Sequence, residues 1–244
     1  EGDPEAITRL QRASSRYFQR PDATHVGVDP ERTSMVGAKA TVRAEKISGE
    51  HWLWSLTADL ESPEGEFNDV GRLVTGDGLQ LRPSLTYRES TPGRWFRNYR
   101  LNVNQTSEWN FANEHQQTTL APSATVTLSN FWTTRLTTRF NLPAQNQRLT
   151  RGGPSMGTPF AWSSSVNVSN SGSSETRWNL SASLGRDDLG LRSQTLSGRV
   201  SMVPGPRWEL SLSPSFNHEI NPRQYVAYRD GGGPETYGGR YIFA

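Results

Sequence analysis

The sequence predicts an all-β fold: an antiparallel up-and-down transmembrane β-barrel, partial, with about 10–12 strands and a short N-terminal helix. Apolar and polar residues alternate with a period of two, which is typical of strands whose two faces meet different surroundings. Short turns alternate along the chain with mostly longer connections, as consecutive antiparallel strands require. Five of the eight tryptophans follow the short turns by a few residues.

The composition excludes several classes of protein. The chain has 244 residues and a net charge of +2, which gives no electrostatic footprint for nucleic acid, so no such partner is expected. Its mean hydropathy is −0.71, and no apolar run approaches the ~18 residues of a transmembrane helix. The absence of cysteine excludes disulfides and thiolate metal sites. A membrane barrel is compatible with this low hydropathy, because its strands need apolar, lipid-facing residues only at every second position.

The first 36 residues are predicted to form an N-terminal helix and loop segment. Residues 3–14 are the helix candidate, since Asp3 can cap the first turn, Pro4 suits its start and Glu5 favours the positive end of the helix dipole. Residues 19–36 contain two prolines and no periodicity, so they are predicted to be loop.

Residues 37–244 are predicted to form the barrel strands, incomplete at the C-terminal end. The alternating segments lie at 38–45, 52–61, 79–88, 95–104, 120–128, 131–140, 160–168, 178–184, 196–202 and 208–216. Longer connections are predicted at 62–77, about 106–116 and 141–158, and residues 218–239 are predicted to be a long connection or a weak strand. Asp187 and Asp188 are predicted to form a compact turn, and residues 240–244 resemble a strand cut short.

The clearest repeating unit is a tight turn, a tryptophan and then strict alternation. At Pro204 to Phe216, Trp208 follows the turn and begins the apolar face. The equivalent residues Trp52, Trp95, Trp132 and Trp178 complete a predicted membrane-interface aromatic rim. Tryptophan suits the headgroup level because its ring is apolar while its N–H still needs a partner. The strands of a soluble β-sandwich also alternate between apolar and polar residues, because one face of each sheet is exposed to solvent. That fold does not predict five tryptophans at equivalent sites.

The opposite faces of the strands carry charges of both signs among Ser, Thr and Asn. One interpretation is a structural network of ion pairs that stabilises the barrel. Opposite charges would pair there because an isolated buried charge is costly. The other is an arginine-lined path for anionic solutes. The candidate binding residues are Arg82, Arg100, Arg135 and Arg139, together with Trp109 and Phe111. These two aromatics are predicted to lie in a long loop, where they either stack on sugar rings or are buried.

No pattern in the sequence predicts catalysis, a metal or a cofactor. The four histidines are far apart and none has a partner at metal-ligand spacing. The Gly231–Gly233 run lacks the strand-to-helix context of a phosphate loop. We therefore expect no catalytic residue, no metal and no cofactor.

Several sequence strings resemble a bacterial family of uncharacterised outer-membrane β-barrels. They are residues 2–7, 17–22, 48–52, 68–71, 109–111, 149–154 and 237–244, of which Leu149–Pro154 and Tyr237–Ala244 are the most specific. In that family the barrel follows a carbohydrate-binding module similar to family nine. That module is not in this sequence, and the family's barrel continues past the position of Ala244, so the resemblance implies an interior fragment. It also implies that further strands or a partner chain close the barrel.

Together, these observations favour a non-enzymatic barrel of the bacterial outer membrane that acts as a conduit or a membrane anchor. Its partners would be outer-membrane lipid and, given the resemblance, possible glycans, with a link to carbohydrate binding or uptake. The alternative is a soluble β-rich glycan-binding module. A less favoured alternative is an outer-membrane hydrolase whose site uses loop carboxylates.

Overall fold

The architecture is a long antiparallel sheet with one short α-helix. It was obtained as a computed structural model, which describes residues 2–65, 77–205, 207–222 and 224–244. The string at 68–71 therefore lies outside the described residues. Within the described ranges, no helix is long and apolar enough to cross a membrane.

The N-terminal helix α1 spans Pro4–Gln11, shorter than the predicted 3–14. Asp3 precedes it, but its side chain makes no capping hydrogen bond, so the expected cap is wrong. Gln11 is fully buried and ends the helix. Its amide donates to the carbonyl of Asp29 (3.1 Å) and its carbonyl accepts from the N–H of Asp29 (2.7 Å). These two bonds fasten the helix to the following loop.

The strands follow one another along the chain. They are β1 (Lys39–Lys46), β2 (Trp52–Glu61), β3 (Gly78–Glu89), β4 (Phe96–Trp109), β5 (His115–Leu128), β6 (Thr133–Asn141), β7 (Ala144–Asn146), β8 (Met156–Thr158), β9 (Ala161–Ser169), β10 (Thr176–Asp187), β11 (Arg192–Gly205), β12 (Trp208–Leu212), β13 (Ser215–Ile220), β14 (Tyr225–Asp230) and β15 (Gly239–Phe243). A single 3₁₀ turn at Pro234–Thr236 lies between β14 and β15.

The main sheet has eleven strands in the order β1-β2-β3-β4-β5-β6-β9-β10-β11-β12, with β13 also paired to β11. β12 and β13 share one side of β11 because Pro214, which lacks an N–H, interrupts the ladder between them. The carbonyl of Pro214 still accepts a hydrogen bond from the N–H of Gly198 (3.0 Å). This strand count and order confirm the predicted antiparallel meander.

The sheet is open in the part of the chain that the structure describes. There β1 pairs only with β2, and β12 and β13 pair only with β11. The described chain is thus an all-β antiparallel sheet that does not close on itself, and its assignment to a partial transmembrane barrel stays a prediction.

Two ends of the sheet differ. The turn end, as we call it, has the connections 47–51, 90–95, 129–132 and 170–175, together with the turn between β11 and β12. The loop end has the connections 62–77, 110–114, 142–160 and 188–191. The turn predicted at Asp187 is confirmed, because its buried carboxylate accepts from the N–H groups of Leu189 (2.9 Å) and Leu191 (2.8 Å).

Two predicted connections need correction, and a third stretch matches the strand that was one of its two predicted alternatives. The polar stretch 106–116 is mostly strand: β4 continues to Trp109, β5 begins at His115, and only residues 110–114 connect them. The connection after β6 contains the small hairpin of β7 and β8. The stretch 218–239 contains β14, which pairs with β15 in a hairpin separate from the main sheet.

Candidate functional site

One face of the sheet carries a continuous row of apolar residues from β2 to β13. The strand register aligns one residue from each of nine strands in a continuous row. The row is Trp52, Tyr87, Leu101, Ala124, Leu136, Val166, Ala182, Leu196 and Phe216. Parallel positions on the same face include Trp54, Leu85 and Val103. We call this surface the apolar face.

The apolar face is not covered by another layer of the described chain. Leu101 and Leu136 are each 46% exposed, and Leu196 is 51% exposed. The large hydrophobic side chains that are buried in the described residues are Ile7 and Phe18, both in the N-terminal segment. Most of the other buried residues are polar or charged. The described chain therefore has the reverse of the usual distribution, in which apolar faces pack together and polar residues meet water.

All five predicted rim tryptophans lie at the turn end. Trp52 and Trp208 are the first residues of β2 and β12, Trp95 and Trp132 immediately precede β4 and β6, and Trp178 is the third residue of β10. The rings of Trp132 and Trp178 meet edge to face, with centroids 4.9 Å apart. The tryptophans thus share one end of the sheet, while their position at a membrane interface stays a prediction.

The aromatic group at the turn end is larger than the sequence predicted. Trp52 lies 5.0 Å from Tyr87, which lies 5.9 Å from Tyr99, and Phe96 lies 5.1 Å from Tyr99. Arg97 lies over the ring of Phe131 at 4.2 Å. Tyr87 lies two residues before the end of β3, close to a short turn, and it is opposite Trp52 in the register. Pairing of the end of one strand with the start of the preceding strand was the signal that could have predicted it.

The opposite surface, which we call the polar face, carries rows of Ser, Thr and Asn. One row across eight strands is Thr86, Asn102, Ser123, Thr137, Ser165, Ser183, Thr195 and Asn217. Within these rows, the amide of Asn102 donates to the hydroxyl of Thr86 (2.8 Å), and that of Asn167 donates to Ser181 (2.7 Å). Side chains on this face therefore bond to one another and also leave donors open to solvent.

Ion pairs of the polar face lie near the two edges of the sheet. Lys39 pairs with Glu61 (3.3 Å) and Arg82 pairs with Asp59 among β1, β2 and β3. Arg177 pairs with Glu209 (3.3 Å) between β10 and β12. The predicted candidate Arg82 is thus already paired with a carboxylate.

The other three arginine candidates lie on the central strands and have no such partner. Arg100 of β4, Arg135 of β6 and Arg139 of β6 are exposed. Among the described residues, none of the three makes a hydrogen bond or an ion pair. Thr125 of β5 lies between Arg100 and Arg135 in the register, so these two arginines share one row.

Trp109 and Phe111 lie at the loop end. Trp109 is the last residue of β4, half-buried, with its ring centroid 6.0 Å from that of His115. It is therefore not in a long loop as predicted. Phe111 belongs to the short 110–114 connection and is 44% exposed, so it is not buried under the loop.

A buried polar cluster at the loop end was not predicted. Asp77 is 2% exposed, and its carboxylate lies 2.8 Å from Nε2 of His25 and 3.6 Å from Nη2 of Arg20. It also accepts a hydrogen bond from the N–H of Phe111 (3.0 Å). Sequence gave no signal, because His25 and Phe111 are 52 and 34 residues from Asp77 along the chain.

The hairpin of β7 and β8 folds over the polar face at the same end. A cavity of about 300 Å³ has Gln80, Glu108 and Gln117 on one side and residues 145–148 on the other. Burial lowers the pKa of Arg148, and the Glu108 carboxylate opposes that shift.

The N–H of Ser155 donates to the carboxylate of Asp22 (2.6 Å), so the N-terminal segment is attached to the connection that contains β7 and β8.

No group of three or more His, Asp or Glu in the described ranges is arranged to hold a metal ion. The exposed apolar face and the polar face are the surfaces whose chemistry any function must use.

Comparison with known proteins gives one match. The model of a family described as a domain of unknown function, DUF5916, matches residues 6–228. No curated protein and no solved structure matches the chain.

Proposed function

This chain belongs to the DUF5916 family, and on that premise we propose that it is a non-enzymatic β-barrel of the bacterial outer membrane. It acts there as a conduit or as a membrane anchor. The observation that carries the proposal is the apolar face, which spans nine strands and stays exposed in the described chain.

The exposure of this face is costly in water. Burying an ordinary Leu or Val side chain is worth about 1.5–3 kcal/mol, and this face leaves many of them uncovered. Contiguous apolar patches of such extent mark interaction with a membrane or a protein. Hydrocarbon around the sheet supplies the missing cover, while the polar face lines an aqueous interior.

The strand lengths fit a tilted crossing. β3 has 12 residues, so it is about 40 Å long at ~3.3 Å per residue. A tilt of ~40° reduces its height to about 30 Å, the thickness of the hydrocarbon core. The aromatic group at the turn end then lies at one headgroup level, where amphipathic rings are favoured.

The proposal requires that the sheet close. β1 is exposed along its whole length, as are β12 and β13 at the other edge. Open edges are not tolerated in lipid, because unpaired N–H and C=O groups have no partner there. Further strands of a longer chain, or a partner chain, complete the barrel.

The family resemblance adds a link to carbohydrates, through binding or uptake of glycans by a module joined to the barrel. A soluble β-rich glycan-binding module is the competing function, but it would need a cover for the apolar face. A hydrolase whose site uses loop carboxylates is the less favoured alternative.

Detergent dependence tests the proposal. We expect the protein to require detergent for solution, to fractionate with outer membranes and to change its gel mobility on heating, as closed barrels do. A protein that stays monodisperse in plain buffer contradicts the proposal and favours the soluble module. Conductance in planar bilayers then separates the conduit from the anchor, since an anchor inserts into the bilayer without conducting ions.

A further inference from the structure

Charge is unevenly distributed over the polar face. Near the edges of the sheet, acidic residues accompany the basic ones and pair with them, as in Lys39–Glu61 and Arg177–Glu209. The central strands β4, β5, β6 and β9 contain one acidic residue, Glu108, which lies at the loop end and accepts a hydrogen bond from Gln80 (3.3 Å). The centre of the face is therefore cationic although the whole chain is almost neutral, with a net charge of +2.

Three arginines produce this cationic centre. Arg100 and Arg135 occupy one register row, with Thr125 between them. Two strand spacings separate them, or about 10 Å. Arg139 lies four residues beyond Arg135 on the same face of β6, about 13 Å along the strand. Glu108 is eight residues from Arg100 along β4, about 26 Å away, so it does not neutralise Arg100 at close range.

The surroundings of these arginines are neutral hydrogen-bonding groups and one further cation, Arg88, which lies opposite Arg100 on β3 and donates to the carbonyl of Gly49 (2.8 Å). In the register, Thr125 flanks both Arg100 and Arg135, Asn167 is opposite Arg135, and Ser163 is opposite Arg139. A guanidinium presents a planar fork of donors that matches the oxygens of carboxylates and phosphates. Since no described residue occupies these forks, they are open to a solute.

We propose that the polar face of β4, β5 and β6 is a binding and selectivity site for small oxyanions, namely carboxylates and phosphates. The inference rests on the proposed function and deepens it, because it specifies the class of solute that the conduit passes. Unpaired cations on the low-dielectric wall of a channel raise the local concentration of anions. Arg100, Arg135 and Arg139 bind the solute in turn.

Selectivity measured in planar bilayers tests the inference. With the protein in a KCl gradient, we expect the reversal potential of an anion-selective pore. The triple variant Arg100→Gln, Arg135→Gln, Arg139→Gln should lose this selectivity, with the anion-to-cation permeability ratio falling roughly tenfold. The matched control is Arg177→Gln with Glu209→Gln, which removes an ion pair of the same face without changing the net charge and should leave the ratio unchanged.

Binding provides a second, independent readout. Inorganic phosphate titrated calorimetrically into the detergent-solubilised protein should bind to the wild type and to the control, but not to the triple variant. Because the three arginines are exposed and unpartnered, the triple variant should keep its heat-modifiable mobility.

The outcomes separate the inference from the proposed function. A pore that conducts but prefers cations, or a triple variant with unchanged selectivity, overturns the inference and leaves the conduit intact. A protein without conductance that still binds phosphate through these arginines supports the site and overturns the conduit. Absence of phosphate binding in the wild type overturns the site.

Discussion

At the scale of single residues, Asp77 is the residue that joins the N-terminal segment to the sheet. Its carboxylate faces the buried guanidinium of Arg20, whose Nε and Nη2 atoms have no hydrogen-bond partner in the described chain. The charge of Asp77 is therefore what compensates the burial of Arg20. A buried cation that loses the carboxylate paired with it is strongly destabilising.

We predict that Asp77→Ala destabilises the loop end by about 3–5 kcal/mol. Limited proteolysis should then cleave residues 12–36 much faster than in the wild type. Asp188→Asn is the matched control, since Asp188 is exposed and its side chain makes no hydrogen bond or ion pair with the described residues; its effect should stay within about 0.5 kcal/mol. Equal protease resistance of the Asp77 variant and the wild type would refute the role of this carboxylate.

A second residue pair gives a pH dependence. Arg32 donates to both carboxylate oxygens of Glu64 (2.9 and 2.8 Å), and this hydrogen bonding lowers the pKa of Glu64 from its ordinary value of 4.5. A carboxylate whose folded pKa is lowered contributes stability above its unfolded pKa. That contribution is lost as the pH falls through the folded value.

We therefore predict that acidification from pH 7 to below the ordinary pKa of Glu64 increases hydrogen exchange around residues 32–36, relative to Glu64→Gln at the same pH. The variant cannot gain or lose the charge, so its exchange serves as the reference. If both proteins respond identically to acid, the Arg32–Glu64 pair does not hold this loop.

At the scale of elements, the turn end is held by contacts between tryptophans of different hairpins. Trp132 at the start of β6 meets Trp178 of β10 across β9. Aromatic pairs in this edge-to-face geometry are worth about 0.5–1.5 kcal/mol beyond their buried area. The contact ties two turns together that are 46 residues apart.

A double-mutant cycle of Trp132→Leu and Trp178→Leu, read from the midpoint of urea unfolding in detergent, should give a coupling of about 1 kcal/mol. The same cycle with Trp132→Leu and Trp208→Leu is the control, because no ring contact joins these two residues, and should give about zero. A coupling that is equal in the two cycles would show that the contact has no specific effect.

The elements also show what the sequence could and could not predict. Alternation predicted the strands β1–β6 and β9–β11 and their order, because each strand has one apolar and one polar face, but it merged β12 and β13 into one segment. It failed at 106–116, where the strand is polar on both faces: Ser107 bonds to Thr118 (3.0 Å) on the face that is apolar elsewhere. It could not predict the Asp77 cluster, whose members meet only through the tertiary fold.

The alternation of apolar and polar residues likewise identified the arginine candidates, but it did not show which of them pair with a carboxylate. Arg82 and Arg100 have similar sequence surroundings, yet Arg82 pairs with Asp59 of the neighbouring strand while Arg100 stays open. The strand register decides which carboxylate lies within reach, and the register follows from pairings that a single sequence does not specify.

At the scale of the whole molecule, the described chain is a sheet with unlike faces and two unpaired edges. The apolar face has no cover among the described elements, and the polar face holds ion pairs near its edges and unpaired arginines at its centre. The proposed membrane barrel, with lipid on one side, water on the other and closing strands at the edges, would account for all three features together.

Single-cysteine labelling in lipid vesicles tests this account most directly, because the 244 residues contain no cysteine. Leu136→Cys and Val166→Cys place a spin label on the apolar face, and their neighbours Thr137→Cys and Ser165→Cys place it on the polar face. We predict that labels at 136 and 166 collide with lipid-soluble oxygen, while labels at 137 and 165 collide with a water-soluble nickel chelate. Equal access of the nickel chelate to all four sites would contradict the account.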